Sequence, residues 1–216
     1  EFRRVLFRSA EGVTRKSRIS QPRESGTGMR ALDCPPMDDL SLALSLADAA
    51  DAIAMDRFLA SDLVVETKPD MTPVSDADRA VEAKLRTILE RDRPADAVLG
   101  EEFGARADRL DSMREWIIDP IDGTKSYVRG VPIWATLIAV REGDEITTGV
   151  VSAPALGRRW WATRGSGAFA SSQHVSSSHD HARGPLSASR VSQLGDASFG
   201  FSDGMGWDRG VLDRLL

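Results

Sequence analysis

Two carboxylates three positions apart, placed straight after an apolar run, are the chemical centre of this sequence. The stretch reads Trp116-Ile-Ile-Asp-Pro-Ile-Asp-Gly-Thr124. Trp116 to Ile118 has the look of a short buried strand. Pro120 lacks an N–H and biases its predecessor toward extended geometry, so the strand is expected to end at Asp119-Pro120. Asp119 and Asp122 then flank a turn and can converge. Lys125-Ser-Tyr-Val128 follows as a short helical turn, whose first N–H groups would favour an anion beside the acids. Hard oxygen donors next to an anion-binding turn suit Mg²⁺ and phosphate. Taken alone, the same residues also fit plain turn chemistry, in which Asp and Gly serve only the backbone.

Further acids sit at the ends of other predicted elements. Asp78 lies in the first turn of a helix opened by Ser75, and Glu101-Glu102 follow the apolar run Ala97-Val-Leu-Gly100. An inward-facing carboxylate at 101 or 102 would need a cation, because an unpaired buried charge is very costly. Asp78, Glu101, Asp119 and Asp122 together match a site for two or three Mg²⁺ ions in count and hardness. Asp76 needs no such role, since a helix N-terminus favours negative charge by itself. His174, His179 and His181 sit in a Ser-rich stretch and read as solvated. The sequence has no Walker A motif, no G-x-S-x-G elbow and no dinucleotide fingerprint. Of Trp160-Trp161, strand alternation predicts one ring in the core and one at the surface.

The elements that must position these acids are legible in order. Residues 38 to 60 read as a helix: Leu40, Leu42, Leu44 and Leu46 alternate, but the run continues through Ala-rich sequence. Val64 to Thr67 reads as a strand, and Lys68 to Pro73 as a loop. A second helix follows Ser75, with Val81, Leu85 and Leu89 on its apolar face. After the central stretch come Val131 to Val140, a turn at 141 to 145, Ile146 to Ser152, Arg158 to Thr163 and Ala168 to Ala170, an antiparallel meander. Ser187 to Ser192 begins a further strand-to-helix unit, Asp196 to Phe201 forms a last strand, and 210 to 216 is helix-like. Strands and helices in blocks predict a layered α+β domain with a mixed or mostly antiparallel sheet.

Composition bounds the class. The chain has 216 residues, 41% hydrophobic and 28% charged, which is enough apolar content for a sizeable core. Its single cysteine, Cys34, excludes an internal disulfide framework and fits a reducing, cytoplasmic setting. No apolar run approaches the ~20 residues that span a bilayer. Residues 1 to 36 carry eight Lys/Arg against four Asp/Glu, whereas the whole chain carries a net −5. The remainder is therefore acidic, which argues against nucleic-acid binding. Residues 1 to 36 have no sustained period and read as a non-native or disordered tail, with Met29 or Met37 as a start.

Three motifs in order resemble the inositol monophosphatase family of Mg²⁺-dependent phosphatases: Pro73-Val-Ser-x-Ala-Asp78, Leu99-Gly-Glu-Glu102 and Trp116 to Thr124. Within it, Lys125 to Thr136 and Gly157-Arg-Arg-Trp-Trp-Ala162 look most like the histidinol-phosphate phosphatases of actinobacterial type. The resemblance implies a layered α/β/α/β sandwich, of the kind shared with fructose bisphosphatases, over 37 to 216. It implies that Glu101, Asp119 and the Ile121 carbonyl hold one Mg²⁺, that Asp119 and Asp122 hold a second, and that Gly123 and Thr124 bind phosphate through backbone N–H groups. Thr124, paired with Asp78, would help deprotonate the attacking water, and Lys68 lies on a loop folded over the site. The implied reaction is hydrolysis of a small phosphate monoester, histidinol phosphate in histidine biosynthesis, with inositol phosphate as the alternative substrate and a homodimer as a family expectation. Two departures stand out. Ser126 occupies a position where the family usually has Asn. The family's last motif, Trp-Asp followed by small residues, is not found, since Trp207-Asp208 comes too early. The fold is thus expected to be incomplete at its C-terminus, and the chain weak in activity or a non-catalytic metal- or phosphate-binding fragment.

Overall fold

Asp38 starts the first helix by placing its side chain on the Ser41 N–H, at 2.8 Å. The computed structural model describes residues 37–105, 112–171 and 185–198. Helix α1 runs Asp39–Arg57. Its leucines alternate in sequence, yet Leu42 and Leu46 are four apart and share the buried face with Ala43, Ala47, Ala50 and Ala54. Helix α2, Asp76–Asp92, begins with a reciprocal cap. The Ser75 N–H donates to Asp78 Oδ2 at 2.8 Å and the Asp78 N–H reaches Ser75 Oγ at 3.4 Å. Val81, Leu85 and Leu89 of α2 then pack with α1 in one core.

That core lies between the two helices and a seven-stranded sheet. The strands are β3 (Ala97–Gly100), β4 (Gly104–Ala105), β5 (Arg114–Asp122), β6 (Ala135–Glu142), β7 (Glu145–Ala153), β8 (Arg158–Thr163) and β9 (Gly167–Ser171). Their order in the sheet is β4-β3-β5-β6-β7-β8-β9. Every neighbouring pair is antiparallel except β3 with β5. The sheet is therefore mixed, and the α+β reading holds. Trp116, Ile118, Ile138, Val140, Val150 and Trp161 belong to the same buried cluster as the helices. Each aliphatic side chain buried this fully contributes about 1.5–3 kcal/mol. Trp160 stays partly exposed under the Arg158 guanidinium, 5.1 Å from its ring, so the two tryptophans divide as predicted. Among the described residues no helix is long and apolar enough to cross a membrane.

Several boundaries differ from the sequence reading. Strand β5 does not stop at Asp119-Pro120 but continues to Asp122. It does so through a register shift: Asp119 pairs with Leu137, whereas Asp122 pairs with Ala135. Pro120 is tolerated at this irregularity, and its carbonyl accepts from Thr136 Oγ1 at 2.8 Å. Strand β6 begins at Ala135, not Val131. The Val131 N–H is taken by the Ser126 carbonyl at 2.9 Å, and Trp134 turns inward onto Tyr127 and Phe58. Pro73, read as the last residue of a loop, instead opens β2 (Pro73–Ser75), which pairs antiparallel with β1 (Val65–Thr67).

The chain divides into two units, one ending at Leu186 and the other beginning at Ser187. In the second unit, residues 187 to 192 form no strand, and the regular structure described is a 3₁₀ turn at Leu194–Asp196. No ladder partner is paired with this segment, which overturns the predicted strand-to-helix unit there. The expectations for residues 1 to 36, for His174, His179 and His181, for Trp207-Asp208 and for the helix at 210 to 216 lie outside the described residues. So do residues 199 to 201 of the strand placed at 196 to 201; in its described half Asp196 closes the 3₁₀ turn and 197 to 198 form no strand.

Candidate active site

The parallel pairing of β3 with β5 brings the two acidic segments together. Leu99 lies opposite Ile117 and Gly100 opposite Ile118. The next N–H, that of Glu101, donates to the Ile118 carbonyl at 3.1 Å. Glu101 thus leaves β3 where Asp119 enters the bulged end of β5. The Glu101 carboxylate is thereby brought close enough to act on Asp119. Asp119 is 4% exposed, and no donor reaches its Oδ1. Its pKa is pushed up to about 9, first by burial and then by the charges of Glu101, Asp122 and Asp78. The other three predicted acids therefore all act on Asp119.

Asp78 is buried, and its position follows from the α2 cap. Ser75 Oγ and N–H both serve Oδ2, at 2.5 and 2.8 Å. The Thr124 hydroxyl faces Oδ1 at 3.2 Å and the Ile121 carbonyl at 3.0 Å. One hydroxyl carries one proton, so it donates to one of these at a time and keeps lone pairs to accept with. Burial raises the Asp78 pKa, and the Ser75 and Thr124 contacts offset only part of that rise.

Gly123 makes the turn between Asp122 and α3, Thr124–Val128. Its φ is +95°, and a Cβ there would meet the Ile133 carbonyl oxygen at 3.0 Å. Both the backbone and the close approach demand glycine. Lys68, on the β1–β2 turn, sets its Nζ 3.1 Å from Glu101 Oε1 and 2.6 Å from Glu102 Oε1. Burial works against its charge, but the bonds to Glu102 and Glu101 outweigh it and hold its pKa above the usual lysine value. The Glu102 side chain is 5% exposed and the Glu101 side chain 37%. Of the adjacent acids, Glu102 is thus the inward one, and Lys68 is the cation it needs. Asp76, read as a helix-start charge, pairs with Arg57 at 2.7 Å.

The donors fit a hard divalent cation. They are oxygens, they are anionic, and one buried oxygen of Asp119 lacks a donor. Among the described residues no three His, Cys, Asp or Glu side chains are already drawn close enough to enclose one ion. Lys68 bridges Glu101 and Glu102 in that arrangement.

Sequence reasoning passed over Glu82. It lies on α2, is fully buried, and accepts from the Glu102 and Phe103 N–H groups at 2.7 and 3.2 Å. The signals available were Arg86 four residues on and the glycine before Glu101. Arg86 Nε donates to Glu82 at 2.8 Å, and a Cβ on Gly100 would fall 1.9 Å from the Glu82 carboxylate.

A profile of the inositol monophosphatase family matches residues 37–201. The chain is 56% identical over 180 residues to a protein named histidinol-phosphatase from Mycobacterium tuberculosis, and 56% identical over 185 residues to one of the same name from Streptomyces coelicolor. Each alignment covers 83% of this chain and 66% of the relative, so the chain spans just under two thirds of their length. Among solved structures, an inositol monophosphatase from Thermotoga maritima is similar with a TM-score of 0.58 and 31% identity, over 67% of this chain and 55% of that one. Another, from Zymomonas mobilis, gives a TM-score of 0.52 and 36% identity, over 62% and 51%. By sequence profile and by fold, this chain belongs to the inositol monophosphatase family.

Proposed function

We propose that the site is that of a Mg²⁺-dependent phosphate monoester hydrolase whose substrate is histidinol phosphate. One observation carries the reading: Asp119 is buried among Glu101, Asp122 and Asp78, with an oxygen that no protein donor satisfies. Such a cluster is unfavourable unless cations enter it. Glu101, Asp119, the Ile121 carbonyl and Asp122 would hold the two or three Mg²⁺ ions. Bound Mg²⁺ supplies an acidified water and neutralises charge on the phosphoryl and leaving oxygens.

The chain's own groups do the rest. The Thr124 hydroxyl accepts a hydrogen bond from the attacking water, and its own proton is held toward Asp78 Oδ1, 3.2 Å away. Asp78 is the proton acceptor at the end of that pair. The N–H groups of Gly123 and Thr124, where the turn enters α3, orient the phosphate. Lys68 shares the negative charge of Glu101 and Glu102 until a metal takes it over. The substrate is argued from relatives at 56% identity that carry the histidinol-phosphatase name. Inositol phosphate is the second reading, favoured by the structural neighbours at 31% and 36% identity. A cytoplasmic setting, a place in histidine biosynthesis and a homodimer belong to the same proposal.

Phosphate release from purified protein, with and without Mg²⁺, tests it on both substrates. The expected result is metal-dependent turnover with a higher kcat/KM on histidinol phosphate. Higher kcat/KM on inositol phosphate would move the assignment to the second reading, and turnover that survives chelation would overturn the metal assignment.

A further inference from the structure

The Glu101 side chain has little around it to fix its direction. It is 37% exposed, and its contacts are Lys68 and Asp119. Its placement must therefore come from its backbone. The three successive N–H groups there are all occupied: Glu101 by the Ile118 carbonyl, Glu102 and Phe103 by Glu82. Glu82 has no exposed surface, so it carries a carboxylate into the core where an alanine or leucine would suit an apolar helix face. Arg86 compensates it with Nε and extends its guanidinium to the Gly104 carbonyl and over the Phe103 ring, 5.9 Å from the centroid. Gly100 leaves the notch this carboxylate fills. One acid and one arginine on α2 thus clamp residues 100 to 104 from both ends.

We infer that Glu82 is a positioning residue, holding Glu101 in line with Asp119 through the Glu102 and Phe103 amides, so that Mg²⁺ affinity depends on a side chain that never touches the metal. This rests on the reading of Glu101 and Asp119 as metal ligands. Outer partners that orient metal ligands commonly change affinity by 10–100-fold when removed. Glu82→Gln keeps the shape but turns an N–H donor toward an N–H or the guanidinium, whichever way the amide faces. Gly100→Ala attacks the same contact from the strand side, since its Cβ would overlap the carboxylate.

The test is calorimetric titration of Mg²⁺ alone into the chain, with circular dichroism reporting the fold. E82Q and G100A are each expected to weaken Mg²⁺ binding by about 10–100-fold while the far-ultraviolet spectrum is kept. In the double variant E82Q/E101Q, binding is expected to equal that of E101Q alone, because Glu82 acts only through Glu101. A purely structural Glu82 would lower the melting temperature equally in both backgrounds and leave the affinity alone. Either variant folding and binding Mg²⁺ within twofold of the unaltered chain overturns the inference, as does failure of both variants to fold. If E101Q itself binds Mg²⁺ normally, the ligand assignment fails first, and that result is separate from the other two.

Discussion

Asp51 and Asp119 are both aspartates with less than a tenth of their surface exposed, 7% and 4%, but they live by different rules. Asp51, on α1, faces cations and donors from the sheet. Ser152 Oγ reaches its Oδ2 at 2.7 Å and Arg159 reaches it at 2.6 Å, while a second arm of Arg159 takes Asp48. Ser152 and Arg159 lie opposite each other across β7 and β8, so the acid staples the helix to two strands at once. Asp119 faces other carboxylates, and Lys68 binds Glu101 and Glu102 rather than Asp119. Where an acid serves the fold, the chain brings its own arginine. On the proposed reading, the site acid instead takes its countercharge from metal in solution.

The sharpest way to break this contrast is Asp119→Asn. Activity is expected to fall at least ~10²-fold, the scale for removing one preorganised charge-stabilising group. The same change should raise the melting temperature of metal-free protein at neutral pH, because folding no longer has to protonate this carboxylate. The pH dependence gives the sign independently. Asp119 keeps its proton up to about 9 in the metal-free fold but only to about 4 when unfolded. Its contribution to stability is therefore complete below about 4 and is lost as pH rises toward 9. Metal-free melts from pH 5 to 9 should decline for the unaltered chain and decline less for the Asn variant.

A smaller loss is expected at Thr124. Thr124→Ala removes the hydroxyl that contacts Asp78 and, in the proposed mechanism, should lower kcat by about 10²-fold, the lower end for a general-base relay. Thr124→Ser should recover most of it, with Mg²⁺ affinity unchanged by calorimetry. The smallest effect on activity is expected at the staple. Asp51→Asn leaves Arg159 half-satisfied and should cost about 3 kcal/mol in denaturant unfolding, with Mg²⁺ affinity unchanged. A loss of affinity there would erase the distinction between the two acids.

Much of the site could be read from residue types because its elements end where its acids begin. Ser75 with Asp78 is a cap pattern, Gly100 before Glu101 marks a strand end, and Asp119 to Thr124 names the turn. The strand limits were less legible. Pro120 argues for a stop when only local propensity is weighed, but β6 continues to pair past it once the register shifts. Pro132 and the apolar run from Val131 suggest an early start, whereas the fold uses Trp134 to pack the aromatic cluster before the ladder begins. Glu82 was missed because a charged residue on an amphipathic helix looks solvated. Its burial comes from a tertiary neighbour, the bare backbone of Gly100, and no helical period reports that.

The bulge at the end of β5 sets a counting rule. A pleated strand turns side chains alternately to its two sides, so residues an odd number apart look away from each other. Between Asp119 and Asp122, three steps on β5 match two steps on β6, from Leu137 to Ala135. The additional residue turns an odd interval into an effectively even one, and the two acids end up facing the same way. Length and bulge are therefore bound together in this tract: the same three-residue interval on an unbulged ladder would keep both aspartates and part their carboxylates.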